Sequence, residues 1–455
     1  METVLVVGGG ITGLVSALQL KKQHKQVVLI EKAPQVGGLL GSYYNEAGVA
    51  FDLGTHYVSE TGCSELDQIL LQGVKDSAEW FELAKLPTAS YFAGQLNEYS
   101  NCINTNALPK PVQEKGLLDL LNVEQPVAAP VNARQQLQQF YGKTFEEHVF
   151  SPLLQKLFAE SSDRLAPNAH LLFASPRLLI LSAERTRELK QSAFFDARIA
   201  FHSYREGAAG KRVFYPKQGG IASWVLLLRR QLEQAGVRII TQAEITSLQR
   251  QDNRITSVEI NNTETFTTSQ LVWSVSPHLL AKLLEVAPTK GTLQFRKTVL
   301  VHLIFDRPFL SEVVYVTCYD DNLKTFRVTL YPNIALQAQG HSTEPYKCTV
   351  EFITDGTDLS ADWESIAVSE LRVMGLIAAD AEKVFSYSAV LPAGFPVMTN
   401  EFMQASSDLA QALQQQADNL LILGKAKGSS FFMRDVLVEA FNEIAERLSL
   451  YRNEV

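Results

Sequence analysis

The sequence predicts an α/β fold with a parallel central sheet, and three observations lead to this prediction. A short apolar strand, a glycine-rich turn, a helix and a second strand follow one another within residues 3–31. An amphipathic helix predicted over 224–234 precedes strand patterns at 236–240 and 271–274. A buried-strand pattern at 420–424 precedes a last helix, predicted over 435–448. Strands that alternate with helices in this way indicate βαβ units, whose strands run parallel.

The turn at residues 8–13 has the glycine spacing of a dinucleotide-binding unit. Gly8 permits the tight turn, Gly10 lets the backbone approach a pyrophosphate, and Gly13 lets the helix pack close to the strand. The N-terminus of the helix that follows offers free N–H groups to phosphates. Glu31 ends the second strand and is placed to accept hydrogen bonds from a ribose hydroxyl. These features predict that the chain binds a dinucleotide.

Length, net charge and cysteine spacing exclude several classes of protein. A chain of 455 residues is long enough for two or three domains, and its net charge of -8 argues against a nucleic-acid partner. The four cysteines show no C-x-x-C spacing, so we expect neither a disulfide framework nor a metal site, and a reducing compartment fits them. The first strand pattern begins at Thr3, which leaves no room for a signal peptide, and no apolar run approaches the ~18 residues that span a bilayer. We therefore expect a cytoplasmic protein with a small-molecule substrate and no integral membrane segment, and its oligomeric state stays open.

The residues after Glu31 indicate which dinucleotide is bound. A glycine pair, Gly37-Gly38, lies six residues further on, and an Asp-x-Gly element follows at residues 52–54. In this order the motifs resemble the flavoprotein superfamily of amine oxidases, protoporphyrinogen and phytoene oxidoreductases, and UDP-galactopyranose mutases. The resemblance implies FAD as the cofactor. It also implies that the glycine pair and the backbone of residues 39–42 line the pyrophosphate and the flavin.

The resemblance returns near the C-terminus, where a strand ending at Gly424 precedes the last helix. Superfamily members aim this helix N-terminus at the flavin N1–C2 carbonyl region, where reduced flavin carries negative charge. We expect Asp435 to cap the helix. The cofactor contacts that the resemblance implies are Gly8, Gly10, Ile11, Thr12, Gly13, Glu31, Lys32, Gly38, Leu39, Gly54, Thr55, His56, Gly424, Arg434 and Val436.

The resemblance also implies a discontinuous, Rossmann-like FAD-binding domain of three layers, with a second α+β substrate domain inserted in two segments. The FAD-binding segments are predicted at 1–85, 205–285 and 405–455, and the substrate-binding segments at 86–204 and 286–404.

The two insertions differ in their patterns. The first is mostly helical, with predicted helices over 133–141 and 144–158, the latter beginning at a capping box of Thr144 and Glu147. The second is strand-rich, with strands predicted at 299–305, 313–319, 325–331 and 348–353.

Three residues are candidates for catalysis. His56 follows the Asp-x-Gly element at the expected flavin edge, where a structural histidine is an equally good interpretation. Arg327 and Tyr331 lie in an "FRxTxY" strand that resembles cavity-facing strands of the superfamily, and with Thr329 they alternate along it and so share one side. Arg327 is suited to binding a carboxylate or phosphate, although a surface arginine is also compatible with the pattern.

Two main function classes remain. The first is an FAD-dependent oxidoreductase that abstracts a hydride from a C–N or C–C bond. The second is a non-redox, flavin-dependent nucleotide-sugar mutase. The mutase pattern usually has a second histidine shortly after His56, and here the sequence continues Tyr57-Val58-Ser59, which favours the first class. A flavin-binding protein without turnover is a third, weaker option.

Overall fold

A computed structural model gives the fold, and it describes residues 3–23, 26–124, 128–173, 177–206, 211–287, 294–338, 340, 344–428 and 430–452. The strands are β1 Thr3–Val7, β2 Gln26–Ile30, β3 Ser42–Tyr44, β4 Ala50–Asp52, β5 Val58–Ser59, β6 Trp80–Leu83, β7 Thr88–Phe92, β8 Gln95–Asn97, β9 Ile103–Asn104, β10 Leu178–Leu179, β11 Val213–Pro216, β12 Arg238–Ile240, β13 Ile245–Gln251, β14 Arg254–Ile260, β15 Glu264–Thr267, β16 Gln270–Trp273, β17 Phe295–Phe305, β18 Tyr315–Cys318, β19 Thr325–Leu330, β20 Tyr346–Thr354, β21 Lys383–Pro396 and β22 Leu420–Ile422. The α-helices are α1 Ile11–Lys21, α2 Ser64–Leu70, α3 Lys110–Leu121, α4 Ala133–Tyr141, α5 Lys143–Phe145, α6 Ser151–Phe158, α7 Ala183–Leu189, α8 Ala193–Arg198, α9 Ala222–Gln234, α10 Pro277–Leu283, α11 Pro332–Gln337, α12 Trp363–Val373, α13 Asn400–Gln414 and α14 Met433–Arg452.

The chain divides into two compact units, each built from separate segments. The first unit comprises Met1–Glu82, Lys211–Gly291 and Gln404–Val455, and the second comprises Leu83–Gly210 and Thr292–Met403.

The first unit is built on a five-stranded parallel sheet. Its strand order is β12-β2-β1-β16-β22, and every neighbouring pair runs parallel. The two strands and the helix predicted at the start of the chain are therefore present, with α1 ending at Lys21. All five strands point their carboxyl ends to one edge, which in open α/β sheets is the edge that binds ligands.

Three layers make up this unit. Alternate residues of the parallel sheet pack against α1, α2, α9 and α14 on one face. The other alternate residues pack against the antiparallel β13-β14-β15 sheet and helices α10 and α13. Strands buried on both faces need apolar residues at nearly every position, as in the Val-Leu-Val-Val run of β1, which is at most 4% exposed.

The second unit contains a seven-stranded mixed sheet with two unlike faces. Its strand order is β21-β17-β20-β19-β18-β7-β8. One face is apolar and packs on α12, through residues that include Val299, Val301, Leu303, Val328, Val350, Phe352 and Leu371. Alternation along the strands places polar side chains on the opposite face, namely His302, Arg327, Thr329, Thr349 and Glu351.

The helix predicted over 144–158 is present but begins differently from the prediction. It runs through α5, a π-helical turn at Glu146–Phe150 and α6. Thr144 does not cap it, since the helix begins at Lys143 and Thr144 lies inside its first turn. The carboxylate of Asp119 in α3 instead accepts hydrogen bonds from the Thr144 N–H at 3.0 Å and hydroxyl at 2.6 Å. Asp119, a residue of another helix, thus accepts the hydrogen bonds at the start of this helix in place of the predicted local capping box.

The remaining differences are at element ends. The strand predicted at 313–319 spans only Tyr315–Cys318, and that predicted at 325–331 ends at Leu330, so Tyr331 is the N-cap of α11. The last helix starts at Met433, which places Asp435 inside its first turn and not at its cap. A carboxylate there still interacts favourably with the helix dipole.

Candidate functional site

The glycine turn after β1 is shaped by contacts that exclude side chains. Gly8 has φ +106, and a Cβ there would lie 2.6 Å from the hydroxyl oxygen of Ser274. A Cβ on Gly13 would overlap the carbonyl oxygen of Gly8. Both glycines are therefore required by the protein itself. Ser274, which follows β16, lies against Gly8, and the start of α1 packs on the carbonyl of Gly8.

Gly10 differs, because a Cβ built on it meets no atom within 4 Å. It is the N-cap of α1, and no side chain among the described residues caps that helix. The N–H of Gly37 donates to the carbonyl of Gly9 at 2.7 Å, and a Cβ on Gly38 would lie 3.6 Å from the Gly10 Cα. Two glycine turns thus frame an uncapped helix N-terminus with open space in front, which fits a pyrophosphate.

Glu31 is fixed by backbone donors. One carboxylate oxygen accepts a hydrogen bond from the Gly9 N–H at 2.6 Å, and the other accepts one from the Ala33 N–H at 2.7 Å. Each oxygen keeps a second acceptor position, which suits hydrogen bonding to a ribose.

The C-terminal segment meets the same helix end. Gly424 has φ +72, and a Cβ there would lie 2.9 Å from the Thr12 hydroxyl oxygen. The structure therefore brings Gly8, Gly10, Thr12, Gly13, Glu31, Gly38 and Gly424 together around the start of α1.

Asp52, the acid of the Asp-x-Gly element, joins several segments of the first unit. Its carboxylate, 1% exposed, accepts hydrogen bonds from the Ser42 hydroxyl at 2.9 Å and the Ile221 N–H at 2.8 Å on one oxygen. The other oxygen accepts from the Tyr215 hydroxyl at 2.7 Å. Burial, with the charge of Asp52, raises the pKa of Tyr44. The Asp-x-Gly element marks Asp52, but the motif contains no information about its partners Ser42, Tyr215 and Ile221.

Arg434 lies at the start of α14 but contacts the chain itself. Its Nε donates to the Thr61 carbonyl at 3.1 Å, and the ammonium of Lys211 donates to the same oxygen. Val436 is 4% exposed, and its N–H donates to the Phe432 carbonyl at 3.0 Å. Cofactor contacts by Arg434 and Val436 remain predictions.

The structure also places the other residues that were predicted to contact the cofactor. Lys32 turns to Glu244, with 2.8 Å between ammonium and carboxylate, and is largely exposed. Leu39 is exposed on the short 3-10 helix Gly38–Leu40. Thr55 and His56 are half-buried and follow Gly54, which has φ +118. Ile11 opens α1 and packs on the core.

Arg327 is paired within the sheet. Its Nε and Nη2 donate to the two carboxylate oxygens of Glu351 at 2.7 and 2.8 Å. The glutamate lies directly opposite on β20 and is 2% exposed. This bidentate pair compensates the charge of the arginine inside the second unit.

Tyr331 belongs to a hydrogen-bonded row beside that pair. Its hydroxyl lies 2.9 Å from the Thr349 hydroxyl, which in turn lies 2.8 Å from Nδ1 of His302. Burial is the main cause that lowers the pKa of His302 to about 4. The imidazole is therefore neutral at pH 7, and its ring stacks on Tyr387 with a centroid distance of 6.1 Å. The sequence interpretation did not include His302 or Thr349, because each looks like an ordinary strand residue.

No group of three or more His, Cys, Asp or Glu among the described residues has the geometry of a metal site. Within the same residues, no helix is both long and apolar enough to cross a membrane.

A βαβ unit, a second glycine turn and a returning strand at one edge of a parallel sheet define a dinucleotide-binding protein. The family model described as "Flavin containing amine oxidoreductase" matches residues 11–366 of the 455-residue chain. The chain belongs to this family. Its cofactor is FAD, as predicted.

Solved structures share the fold along the whole chain. A reduced UDP-galactopyranose mutase superposes with a TM-score of 0.76 at 14% identity, covering 99% of this chain and 96% of that one. A putative protoporphyrinogen oxidase from Exiguobacterium sp. 255-15 gives a TM-score of 0.69 at 16% identity, covering 99% of both chains. At these identities the likeness shows the fold.

A sequence relative matches only a short part of the chain. The all-trans-retinol 13,14-reductase of Rattus norvegicus is 31% identical over 81 residues, which is 18% of this chain and 13% of the rat protein. The match is too short to transfer an activity.

Proposed function

We propose that this protein is an FAD-dependent oxidoreductase that removes a hydride from a C–N or C–C bond of a small substrate. FAD, when bound, supplies a two-electron acceptor. The first unit would hold it through the glycine turns, Glu31 and Thr12, and the polar sheet face of the second unit would orient the substrate. His56, Arg327 and Tyr331 are the proposed catalytic-site residues.

The ion pair between Arg327 and Glu351 is the observation that favours an oxidoreductase over a nucleotide-sugar mutase. Binding the diphosphate of a nucleotide sugar requires positive charge that no acid of the protein neutralises. The Arg327 guanidinium, however, donates two parallel hydrogen bonds to the carboxylate of Glu351. Beside it, the neutral His302 and the hydroxyls of Thr349 and Tyr331 offer hydrogen bonds without net charge. Such a buried polar face suits an uncharged polar group of the substrate.

The mutase remains a second candidate because of the structural likeness to UDP-galactopyranose mutase over nearly the whole chain. Its flavin use differs in a way that can be tested. A mutase of this kind needs the flavin reduced beforehand and returns it unchanged.

Anaerobic bleaching of the bound flavin separates the two functions. The FAD-loaded protein is mixed with panels of amines and saturated substrates while absorbance near ~450 nm is followed. We expect a substrate of the first class to bleach the flavin without any added reductant. Turnover of UDP-galactopyranose that appears only after chemical reduction of the flavin would replace this proposal with the mutase.

Two tyrosine variants test whether the polar face of the second unit contributes to the activity. Y331F removes the hydroxyl that contacts Thr349 and should slow bleaching by about tenfold, which corresponds to the loss of one hydrogen bond of about 1.4 kcal/mol. Y99F alters a tyrosine that is 66% exposed and should leave the rate unchanged. Affinity for FAD should be the same in both variants.

A further inference from the structure

Strand β17 buries an arginine to which the chain gives little compensation. Arg296 is 7% exposed, and its Nε has no hydrogen-bond partner in the described part of the chain. Its Nη1 lies 3.9 Å from the nearer carboxylate oxygen of Asp355, which is beyond hydrogen-bond length. Burial lowers the pKa of Arg296 despite that neighbour. A buried guanidinium N–H without an acceptor is costly, so an acceptor from outside the chain is expected.

Neighbouring acids are engaged in their own loop. One oxygen of Asp355 accepts hydrogen bonds from the Thr357 N–H at 2.9 Å and hydroxyl at 2.7 Å. Asp358 accepts a hydrogen bond from the Thr354 hydroxyl. The Asp355 side chain is also 51% exposed, so it stays at the surface and does not close on Arg296.

An aromatic residue is the neighbour of Arg296 on the adjacent strand, and it belongs to a cluster of three phenylalanines. Arg296 lies directly opposite Phe395 on β21, and opposed residues of neighbouring strands share a face. The Phe395 ring lies 5.2 Å from that of Phe173 and 5.9 Å from that of Phe326. A ligand that reaches the guanidinium would therefore place an apolar body against these rings.

We propose that Arg296 anchors a carboxylate-binding site in the second unit, and that its ligand is an apolar, preferably aromatic, carboxylate. The planar guanidinium matches a carboxylate with two parallel hydrogen bonds. The aromatic cluster of Phe173, Phe326 and Phe395 accommodates the rest of the ligand. This site goes beyond the proposed function, because none of His56, Arg327 and Tyr331 is part of it.

The test uses benzoate as the probe, with acetate and inorganic phosphate for comparison, and the FAD-loaded protein in a calorimeter. Benzoate should bind the wild type more tightly than acetate or phosphate does. R296M should weaken benzoate binding at least tenfold. This variant should fold, because replacing a buried charge with an apolar side chain of similar size is often neutral or stabilising.

Two further variants keep the result interpretable. D355N retains an acceptor for Thr357 but removes the competing charge, so benzoate should bind several-fold more tightly. R307M alters an arginine paired with Asp306 and Asp380 at the surface and should not change benzoate binding. Equal benzoate affinity in wild type and R296M, or no binding to wild type and D355N, would overturn the site. Phosphate binding as tight as benzoate binding would overturn the assignment to an apolar carboxylate.

Discussion

In the turn after β1, one glycine is needed for folding and another leaves room for the cofactor. A Cβ on Gly10 meets no protein atom, whereas a Cβ on Gly13 overlaps the Gly8 carbonyl oxygen. The two glycines of one motif therefore serve different purposes, one toward the ligand and one toward the helix.

Replacing Gly10 with valine should abolish the yellow colour of the purified protein while leaving the apoprotein folded. The reason is that the new side chain occupies the space in which the pyrophosphate would lie. FAD titration and a thermal melt of the apoprotein measure the two effects. G13V is the matched control and should lower the melting temperature of the apoprotein itself. A G10V protein that still binds FAD with wild-type affinity would contradict this account.

Asp52 is expected to matter for stability more than any exposed acid. D52A leaves the Ser42 hydroxyl, Ile221 N–H and Tyr215 hydroxyl without their acceptor, and unsatisfied buried donors cost about 1–3 kcal/mol each. We expect a loss of several kcal/mol, about 3 or more, in the free energy of unfolding by urea. Y215F removes one donor and should cost less. A loss below that of Y215F would refute the central role of Asp52.

Buried histidines predict a dependence of stability on pH. Burial lowers the pKa values of His302 and His170 from 6.5 to about 4. The unfolded chain therefore binds more protons in this window, so the free energy of unfolding falls as pH drops from 6.5 to 4. The fall is about 3 kcal/mol per histidine. H302Q and H170Q should each reduce the slope of urea-unfolding free energy against pH by one proton, and an unchanged slope in H302Q would count against burial of a neutral imidazole.

At the scale of elements, the helix through α5 and α6 depends on a partner from another helix. D119A removes the acceptor of the Thr144 N–H and hydroxyl and should lower the free energy of unfolding by about 1–2 kcal/mol. E147A tests the capping box that the sequence suggested. Among the described residues Glu147 pairs with Lys143 in an exposed contact, so we expect a change within about 0.5 kcal/mol. The reverse order of the two effects would restore the local capping interpretation.

The glycine turn on one side, and the contacts of Asp119 and Asp52 on the other, show which parts of the structure are predictable from sequence. The glycine turn, β1 and α1 were predictable, because their constraints act within a few residues. The Asp119 cap acts across 25 residues, and the Asp52 contacts act across 163 and 169. Such contacts depend on the assembled fold, and no local pattern encodes them. The row from Tyr331 to His302 was missed for the same reason.

At the scale of the whole molecule, FAD should protect three distant parts of the sequence at once. The turns at 8–14, 37–41 and 424–428 meet at the start of α1. Amide hydrogen exchange in these segments should slow when FAD is added, since a ligand that binds only the folded form raises its stability. The β7–β8 hairpin of the second unit serves as the comparison segment. Protection confined to residues 8–14 would mean that the other two turns do not take part in binding.

The strand order β12-β2-β1-β16-β22 has a consequence for how the protein is made in a cell. The central strand β1 leaves the ribosome long before its neighbour β16, which begins at Gln270, and the edge strand β22, which begins at Leu420. The early βαβ segment keeps apolar surface exposed until β16 and β22 have been synthesised. Chaperones are therefore expected to hold the nascent chain, and the cofactor is expected to be captured after synthesis.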